Sequence, residues 1–360
     1  MMKKYQTVME SIRRAIEAGT ITPGQKLPSE SELMATFNVS RNAVRQAVNE
    51  LIKSGLVKSR QGVGSFCVRR SQRNSMMIGI VCLRVSSYIF PRIIDGCNRA
   101  LQTEGYHLLV NESRYDLNQE SIILDSLRQQ GVDGIIVTPV QYPGETTNAR
   151  AFSELHRQGI PVVLLDNEYP DCPFSSVVLD DIAAGMKAAE YLWVRGHRQV
   201  GMLYSLNYRP KILRKDGVAQ FLATKGVELN EDWLVGIEGQ TSPAHTYRQI
   251  RNLFRGRIAL PSAMICSSDD EAIMFIHQAR RHGIRIPEDV SIVSFDNSEV
   301  AQVSHPRLTS VHHPSEYMGE LAAKILLQRI RNGESALRTR TVVDSVVIQR
   351  DSVRTVTGTP

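Results

Sequence analysis

Val39-Ser40-Arg41-Asn42-Ala43-Val44-Arg45-Gln46-Ala47-Val48-Asn49-Glu50-Leu51-Ile52 reads as one helix with two unlike faces. Val44, Ala47, Val48, Leu51 and Ile52 recur at i, i+3, i+4, i+7 and i+8, the stripe of a helix that buries one side. Ser40 is a good N-cap, its hydroxyl placed to accept a backbone N–H of the first turn. The other face carries Arg41, Asn42, Arg45, Gln46 and Asn49. Arginine can bond guanine bidentately and asparagine or glutamine can bond adenine, in a major groove wide enough for a helix. A polar face turned to solvent would use the same residue types, so the surroundings decide.

Working outward, Ser29 and Glu32 form an S-x-x-E capping box that opens a helix through Leu33, Met34 and Phe37, ended by Asn38. An earlier helix over residues 5–16 places Val8, Ile12, Ala15 and Ile16 on one side, before Gly19 and the Pro23-Gly24 turn. The short link from Phe37 to Ser40 brings two helices close, as a helix-turn-helix requires. After Gly55 the pattern turns extended. Leu56–Arg60 and Ser65–Val68 flank Gln61-Gly62-Val63-Gly64, two short strands around a glycine turn with Lys58, Arg60 and Gln61 near the tip. Gly62-x-Gly64 is not a dinucleotide fingerprint, because Cys67 stands where the third glycine belongs and a strand follows where a helix should.

The runs Lys26–Glu30, Val39–Arg45, Gly55-Leu56 and Gln61–Phe66 closely resemble the winged helix-turn-helix of the GntR family of bacterial regulators, over about the first 68 residues. The resemblance implies double-stranded operator DNA as partner. It implies DNA contacts at Ser40, Arg41, Asn42, Ala43 and Arg45, a wing tip at Gln61 and Gly62 entering the minor groove, and a contact from Lys4 at the start of helix one. Ser31 departs from the pattern, since many relatives carry arginine there.

Charge supports a division of the chain. Residues 1–75 hold 13 basic and 5 acidic side chains, the remainder 30 and 32, within a formal net charge of +6. A basic head on a nearly neutral body is the footprint of a nucleic-acid-binding module joined to something else. At 360 residues, with 42% hydrophobic and 22% charged, the chain suits two or more globular domains and excludes disordered, collagen-like and membrane-spanning classes. No apolar stretch follows the N-terminal lysines, so no secretory signal is expected. Five scattered cysteines without a C-x-x-C point to reduced thiols in a cytoplasm and to no zinc site.

Residues 69–76 read as a polar linker. Beyond it, apolar runs at 77–83, 107–111, 133–138, 161–166, 177–179, 199–204, 263–266 and 291–295 alternate with helical patterns at 91–104, 118–130, 149–158, 181–195, 212–225, 243–255, 269–283 and 315–331. Repeated β-α units predict parallel sheets covered by helices, and the length allows two lobes, with ligands beyond the C-terminal strand ends. Polar and aromatic residues collect there: Ser86–Phe90, Asn111-Glu112, Thr138, Asp166-Asn167, Asn207, Ser267–Asp270 and Asp296-Asn297. Carboxylates, amides and aromatic faces suit a neutral polyhydroxy ligand. Helix capping accounts for any one of these residues singly. Enzyme readings are weaker. His312-His313 lie on an extended segment and point to opposite faces, and the acids Asp269-Asp270-Glu271 suit a first helical turn. No GxSxG, P-loop or HExxH occurs. No enzyme activity, cofactor or metal is expected.

The body, from about Met77 to Arg350, resembles the LacI-type effector domain, itself similar to periplasmic sugar-binding proteins. Leu179-Asp180-Asp181 with Gly185, Arg195-Gly196-His197, Pro287–Asp296 and Leu308–Val311 carry the likeness. The expected fold is α/β: an N-terminal winged helix-turn-helix (1–68), a linker (69–76), a two-lobed, doubly wound parallel-sheet effector and dimerisation domain (77–350) and a tail (351–360). A GntR-type head on such a body is similar to the arabinose-responsive repressors of bacteria, with Tyr88–Gly96 and Leu179–Glu190 especially alike. That likeness implies a homodimer, L-arabinose as effector, and sugar contacts at Tyr88, Phe90, Glu112, Arg214 and Asp296. Ser268 stands where relatives usually have an asparagine ligand, and Asn297 where the arabinose type tends to have Asp. Another sugar, a sugar phosphate or a purine, or activation in place of repression, stays open, as does a sugar-binding transport receptor, which only the body supports.

Overall fold

The computed structural model describes residues 4–17, 20–22, 24–53, 56–60, 63–67, 75–86, 89–141, 147–169, 173–237, 243–254, 260–332 and 337–356. The chain divides into two compact units, Met1–Ser75 and Met76–Pro360.

In the first unit, α1 (Lys4–Glu17), α2 (Glu30–Phe37) and α3 (Arg41–Lys53) precede the antiparallel pair β1 (Val57–Arg60) and β2 (Gly64–Cys67). Ser29 and Glu32 close the capping box in both directions, and Asn38 ends α2 in the left-handed conformation. Val44, Ala47 and Leu51 of α3 are buried with Val8, Ile12 and Leu33, so the apolar stripe reads out as the core. The Gln61-Gly62 turn lies outside the described residues.

The second unit has two lobes. In lobe one, β3 (Met77–Cys82), β4 (His107–Glu112), β5 (Gly134–Val137), β6 (Val162–Leu165), β7 (Ser175–Leu179) and β13 (Arg340–Val343) form a parallel sheet in the order β13-β7-β6-β5-β3-β4. It carries α4 (Ile89–Gln102), α5 (Leu117–Gln130), α6 (Ala149–Arg157) and α12 (Ser315–Asn332). In lobe two, β8 (Val200–Ser205), β9 (Leu234–Ile237), β10 (Ala263–Cys266), β11 (Ser291–Asp296), β12 (Thr309–His312) and β14 (Val347–Ile348) run in the order β14-β12-β11-β10-β8-β9, with only β14 antiparallel. Its helices are α7 (Asp181–Val194), α8 (Arg209–Thr224), α9 (Pro243–Leu253), α10 (Asp269–Arg281) and α11 (Glu299–Val303). The chain crosses between lobes after β7, after β12 and between β13 and β14. Each sheet is therefore completed by a distant part of the sequence.

Every strand and helix expected in the body is present. The unexpected strands β9, β12, β13 and β14 are short, at most four residues, and all four lie at or beside sheet edges, where apolar alternation is weak. Helix α8 starts at Arg209, three residues before the expected start, because Pro210 fits a first turn that has no use for its missing N–H. Residues 351–356, expected as the start of a tail, pack on lobe two. Ser352 is fully buried, donates to the Ile292 carbonyl at 2.7 Å and accepts from Thr309 N at 2.8 Å.

Two helix pairs make the closest contacts. A Cβ built on Gly217 of α8 would lie 2.0 Å from the Ile182 carbonyl oxygen of α7, and one on Gly185 of α7 would lie 2.0 Å from that of Arg214. In lobe one, Gly96 of α4 and Gly319 of α12 meet the same way, at 2.0 Å from Glu316 O and 2.2 Å from Ile93 O. The obstruction is backbone, so a methyl group forces the helices apart. Gly217→Ala is expected to destabilise the body by about 3 kcal/mol, at the upper end of overpacking costs, as a lowered denaturant midpoint by circular dichroism. An unchanged midpoint would mean that α7 and α8 tolerate separation.

Candidate functional site

The first unit presents one polar surface. Arg41, Asn42, Arg45, Gln46 and Asn49 of α3 are all exposed, as are Ser40 and, at the start of α1, Lys4, while Ala43 is half-buried between them. The Ser40 hydroxyl caps α3 by accepting from Ala43 N at 3.4 Å. Glu30, at the start of α2, holds both arginines: Arg45 Nε lies 2.9 Å from its Oε1 and Arg41 Nε 3.7 Å from its Oε2. Each side chain is more than a third exposed, so these pairs contribute little stability. They aim the arginines. Lys58, Ser59 and Arg60 are exposed on β1, and the Arg60 guanidinium lies 5.1 Å from the Phe66 ring centre.

In the second unit, charged side chains meet where the strand ends of the two lobes face each other. Helix α8 supplies three of them from one face: Tyr208, the residue before its first turn, Lys211 and Arg214. Arg214 is buried at 4% exposure. Its Nε donates to Asp181 Oδ1 at 2.8 Å, and its Nη1 to Asp296 Oδ1 at 3.1 Å and to the Ser267 carbonyl at 3.0 Å. Its ring neighbour is Phe295, 4.8 Å from the guanidinium carbon. Lys211 pairs with Glu271 at 2.7 Å, and the Ser267 hydroxyl donates to the same carboxylate at 2.7 Å. From lobe one, Asp166 accepts from Tyr208 OH and pairs with His313 Nε2 at 2.9 Å, while His313 Nδ1 faces Ser315 Oγ at 2.7 Å. Tyr115 stands edge-on to Tyr208, ring centres 6.4 Å apart.

The backbone is strained at the same places. Asp166, Asp296 and Asn297 have φ of 66°, 100° and 53°, in the region that favours glycine. Such residues persist only where their surroundings hold them, and they concentrate at ligand sites. The electrostatics separate the acids. Burial would raise Asp166, but the His313 bond and charge outweigh it and hold the carboxyl below its ordinary range. Burial pushes Asp181 up to about 6 against the pull of Arg214. Asp269 is also pushed up to about 6 by burial. It accepts from Ser294 and Ser310 hydroxyls at 2.5 and 2.9 Å and from Ser298 N at 2.7 Å. The acidic first turn of α10 is thus not a solvated cap: Asp269 and Glu271 are both buried partners of the strand ends.

Among the residues expected to contact effector, Arg214 and Asp296 are bonded to each other. Ser268 is buried next to them and caps α10, accepting from Glu271 N at 3.4 Å. Phe90 is buried in the first turn of α4, at 2% exposure. Glu112 ends β4 and faces Arg114 at 3.6 Å. Tyr88 lies outside the described residues. Sequence reasoning passed over Asp181, Tyr208, Lys211, Glu271 and His313 as site members. The spacing of Tyr208, Lys211 and Arg214 at i, i+3 and i+6 on one helix was the available signal.

A winged helix-turn-helix joined to a two-lobed α/β body defines a DNA-binding regulator with a ligand-binding type of domain. Residues 4–67 match the gntR family of bacterial regulatory proteins, and residues 189–353 match the periplasmic binding protein-like domain. The chain is 30% identical over 337 residues to the arabinose metabolism transcriptional repressor of Halalkalibacterium halodurans, covering 92% of this chain and 90% of that protein. It is likewise 30% identical to the arabinose metabolism transcriptional repressor of Geobacillus stearothermophilus, over 91% of this chain and 92% of that protein. In fold it is similar to a LacI family transcriptional regulator from Enterococcus faecium with bound ribose (TM-score 0.68, 23% identity, 78% of this chain and 100% of that one). The chain belongs to the family of these arabinose metabolism transcriptional repressors, which join a GntR-type head to a LacI-type effector domain.

The His313–Asp166 pair gives a pH dependence. Burial lowers His313, but the Asp166 bond and charge overcome it and leave its pKa raised above 6.5. The pair's contribution is therefore full below pH 6.5 and is lost as pH rises through the folded-state value. His313→Gln, which keeps a donor without the charge, is expected to cost about 2 kcal/mol at pH 6. The gap to wild type, from urea unfolding at several pH values, should narrow as pH rises. A gap that widens instead would show His313 to be neutral in the fold.

Proposed function

We propose that the protein is a cytoplasmic, homodimeric transcriptional repressor, without enzyme activity, that leaves its two-fold-related operator when L-arabinose binds the interlobe cleft. Lys4, Ser40, Arg41, Asn42, Ala43 and Arg45 make the major-groove and backbone contacts, with Gln61 and Gly62 at the wing tip. Tyr88, Phe90, Glu112, Arg214, Ser268 and Asp296 take the sugar. The relatives' repression of arabinose metabolism supports this assignment.

One observation carries the choice of a neutral ligand. Each of three cations in the cleft, two buried and Lys211 half-buried, already faces a carboxylate: Arg214 faces Asp181 and Asp296, Lys211 faces Glu271, and His313 faces Asp166. A sugar phosphate would bring two more negative charges to a group where acids already outnumber bases, and like charges in a desolvated site are strongly unfavourable. Hydroxyls of an uncharged sugar can instead bond the outer lone pairs of the same carboxylates. Binding between the lobes then biases their arrangement. By linkage, sugar and operator weaken each other's binding by the same factor.

Two measurements test this reading. Calorimetric titration of the full chain should show saturable binding of L-arabinose, and none of D-ribose, D-xylose, D-galactose or a pentose phosphate. Arg214→Lys keeps the charge but loses the fork that serves both Asp181 and Asp296, and should abolish the heat while operator binding persists. Binding of the phosphate in preference to the free sugar would overturn the charge argument. In quantitative gel shifts, Arg45→Ala should cost about 1–3 kcal/mol of operator affinity and relax base preference at one position. Operator affinity equal to wild type would remove the exposed face of α3 from the interface.

A further inference from the structure

Glu120 is an acid on an apolar stripe. It lies in the first turn of α5 in line with Ile123, Leu124 and Leu127, and like them is buried, at 0% exposure. Among the described residues no cation forms an ion pair with it. Its Oε2 accepts from Val140 N at 2.7 Å, and its Oε1 accepts from Asn148 Nδ2 at 2.8 Å. Tyr169 OH lies 3.3 Å from the same Oε1 and 2.9 Å from the Val140 carbonyl oxygen. Four segments of lobe one therefore meet at a single carboxyl group: α5, the loop after β5, the residue capping α6, and the chain after β6.

Proton counting favours the protonated acid. The Tyr169 hydroxyl has one proton for the Val140 carbonyl at 2.9 Å and Glu120 Oε1 at 3.3 Å, and the Val140 carbonyl is the nearer. An ionised Glu120 would have to share that proton in a three-centre bond, whereas a protonated Glu120 can donate to the Tyr169 oxygen while Tyr169 donates to Val140 O. The Asn148 amide and the Val140 N–H still find lone pairs on the acid. Tyr169 is the one titratable group in hydrogen-bond contact with it among the described residues. Burial pushes Glu120 up to about 7 against the pull of the Asn148, Val140 and Tyr169 bonds.

The loop so held belongs to the cleft. Asn167 Nδ2 donates to the Pro139 carbonyl at 3.1 Å, and Asn167 follows Asp166, which takes the bonds of Tyr208 and His313. We infer that Glu120, as a neutral acid ringed with Tyr169 and Val140, is a positioning residue that holds the lobe-one floor of the effector cleft. This rests on reading the cleft as the effector site. A nearby aliphatic residue would pack the same stripe without the desolvation burden of an acid, but it could not tie three loops. When Glu120 loses its proton, the buried charge has no cation to meet. Hydration by opening the Val140 and Asn148 bonds then relieves it, and the floor loosens.

The test compares full-length wild type with Glu120→Gln, which keeps the shape and an amide donor towards Tyr169 but cannot ionise. Two readouts are taken at pH 6, 7 and 8: calorimetric affinity for L-arabinose, and amide hydrogen exchange of the segment 134–141, corrected for intrinsic rates. The other titrating groups of the cleft are common to both proteins, so their effects cancel in the comparison. From pH 6 to pH 8 wild-type affinity should fall by about threefold or more beyond any fall in Glu120→Gln, with a matching excess in the exchange of the segment. Parallel profiles in both readouts would overturn the inference. An exchange difference without an affinity difference would overturn the positioning role. If L-arabinose gives no heat with wild type at any pH, the effector assignment fails, and exchange alone then decides whether Glu120 holds the floor.

Discussion

The arrangement of the effector cleft depends on how closely α7 and α8 approach. Gly185 and Gly217 let each helix lie directly against the other's backbone, in contact with the Arg214 and Ile182 carbonyls. At that separation the Arg214 side chain leaves α8 with Asp181, in the first turn of α7, already within 2.8 Å of its Nε. Its Nη1 then reaches the ends of β10 and β11, where Ser267 O and Asp296 accept from it. A residue larger than glycine at either position would move Arg214 by more than a hydrogen bond tolerates. Lobe one repeats the device with Gly96 and Gly319, which seat α12, the helix that follows the His313 crossover, against α4.

Burial makes these acids unlike one another, and their partners determine the direction. Asp166 and Asp181 are equally removed from water, yet one is held low and the other is pushed up to about 6. Asp166 receives a bond and a charge from His313 as well as the Tyr208 hydroxyl. Asp181 must share the single charge of Arg214 with Asp296. Glu120 has hydrogen-bond donors but, among the described residues, no cation, and burial pushes it up to about 7. An ordinary apolar cleft would be more stable than this one, since buried ion pairs seldom recover their full desolvation cost. What such a cluster provides is direction, because each carboxylate keeps lone pairs that point where its partner does not.

How much of this was legible depends on the length scale of the signal. The head could be read almost completely. The stripe Val44, Ala47, Leu51 is local, the Ser29–Glu32 box is local, and both faces of α3 came out as the period of 3.6 requires. The body's main strands were legible because strands buried on both faces are continuous apolar runs. Short strands such as Arg340–Val343 and Thr309–His312, which mix polar with apolar residues, carried no such run. The site divided in the same way. Arg214 and Asp296 were found through resemblance, but Arg214 bonds Asp181 and Asp296 at positions 33 and 82 residues away from it in the sequence, and no local pattern encodes that. Glu120 was the missed opportunity. An acid at i, with Ile123, Leu124 and Leu127 at i+3, i+4 and i+7, is visibly out of place on a stripe that must be buried.

The three passages of the chain between lobes explain why one carboxylate can serve both. Asp166 ends a strand of lobe one and accepts from Tyr208 of lobe two and from His313 in the β12-to-α12 passage. Its left-handed backbone, φ 66°, turns the carboxylate out of the strand direction toward those two donors. Rotation of one lobe against the other changes the Tyr208 distance, because that bond joins the two lobes directly. A hydrogen bond loses most of its strength within a few tenths of an ångström or some tens of degrees. The bond at Asp166 therefore ties the interlobe angle to a narrow range of geometry. A directional bond across two hinged lobes is the kind of contact whose making and breaking can carry a coupling between distant sites.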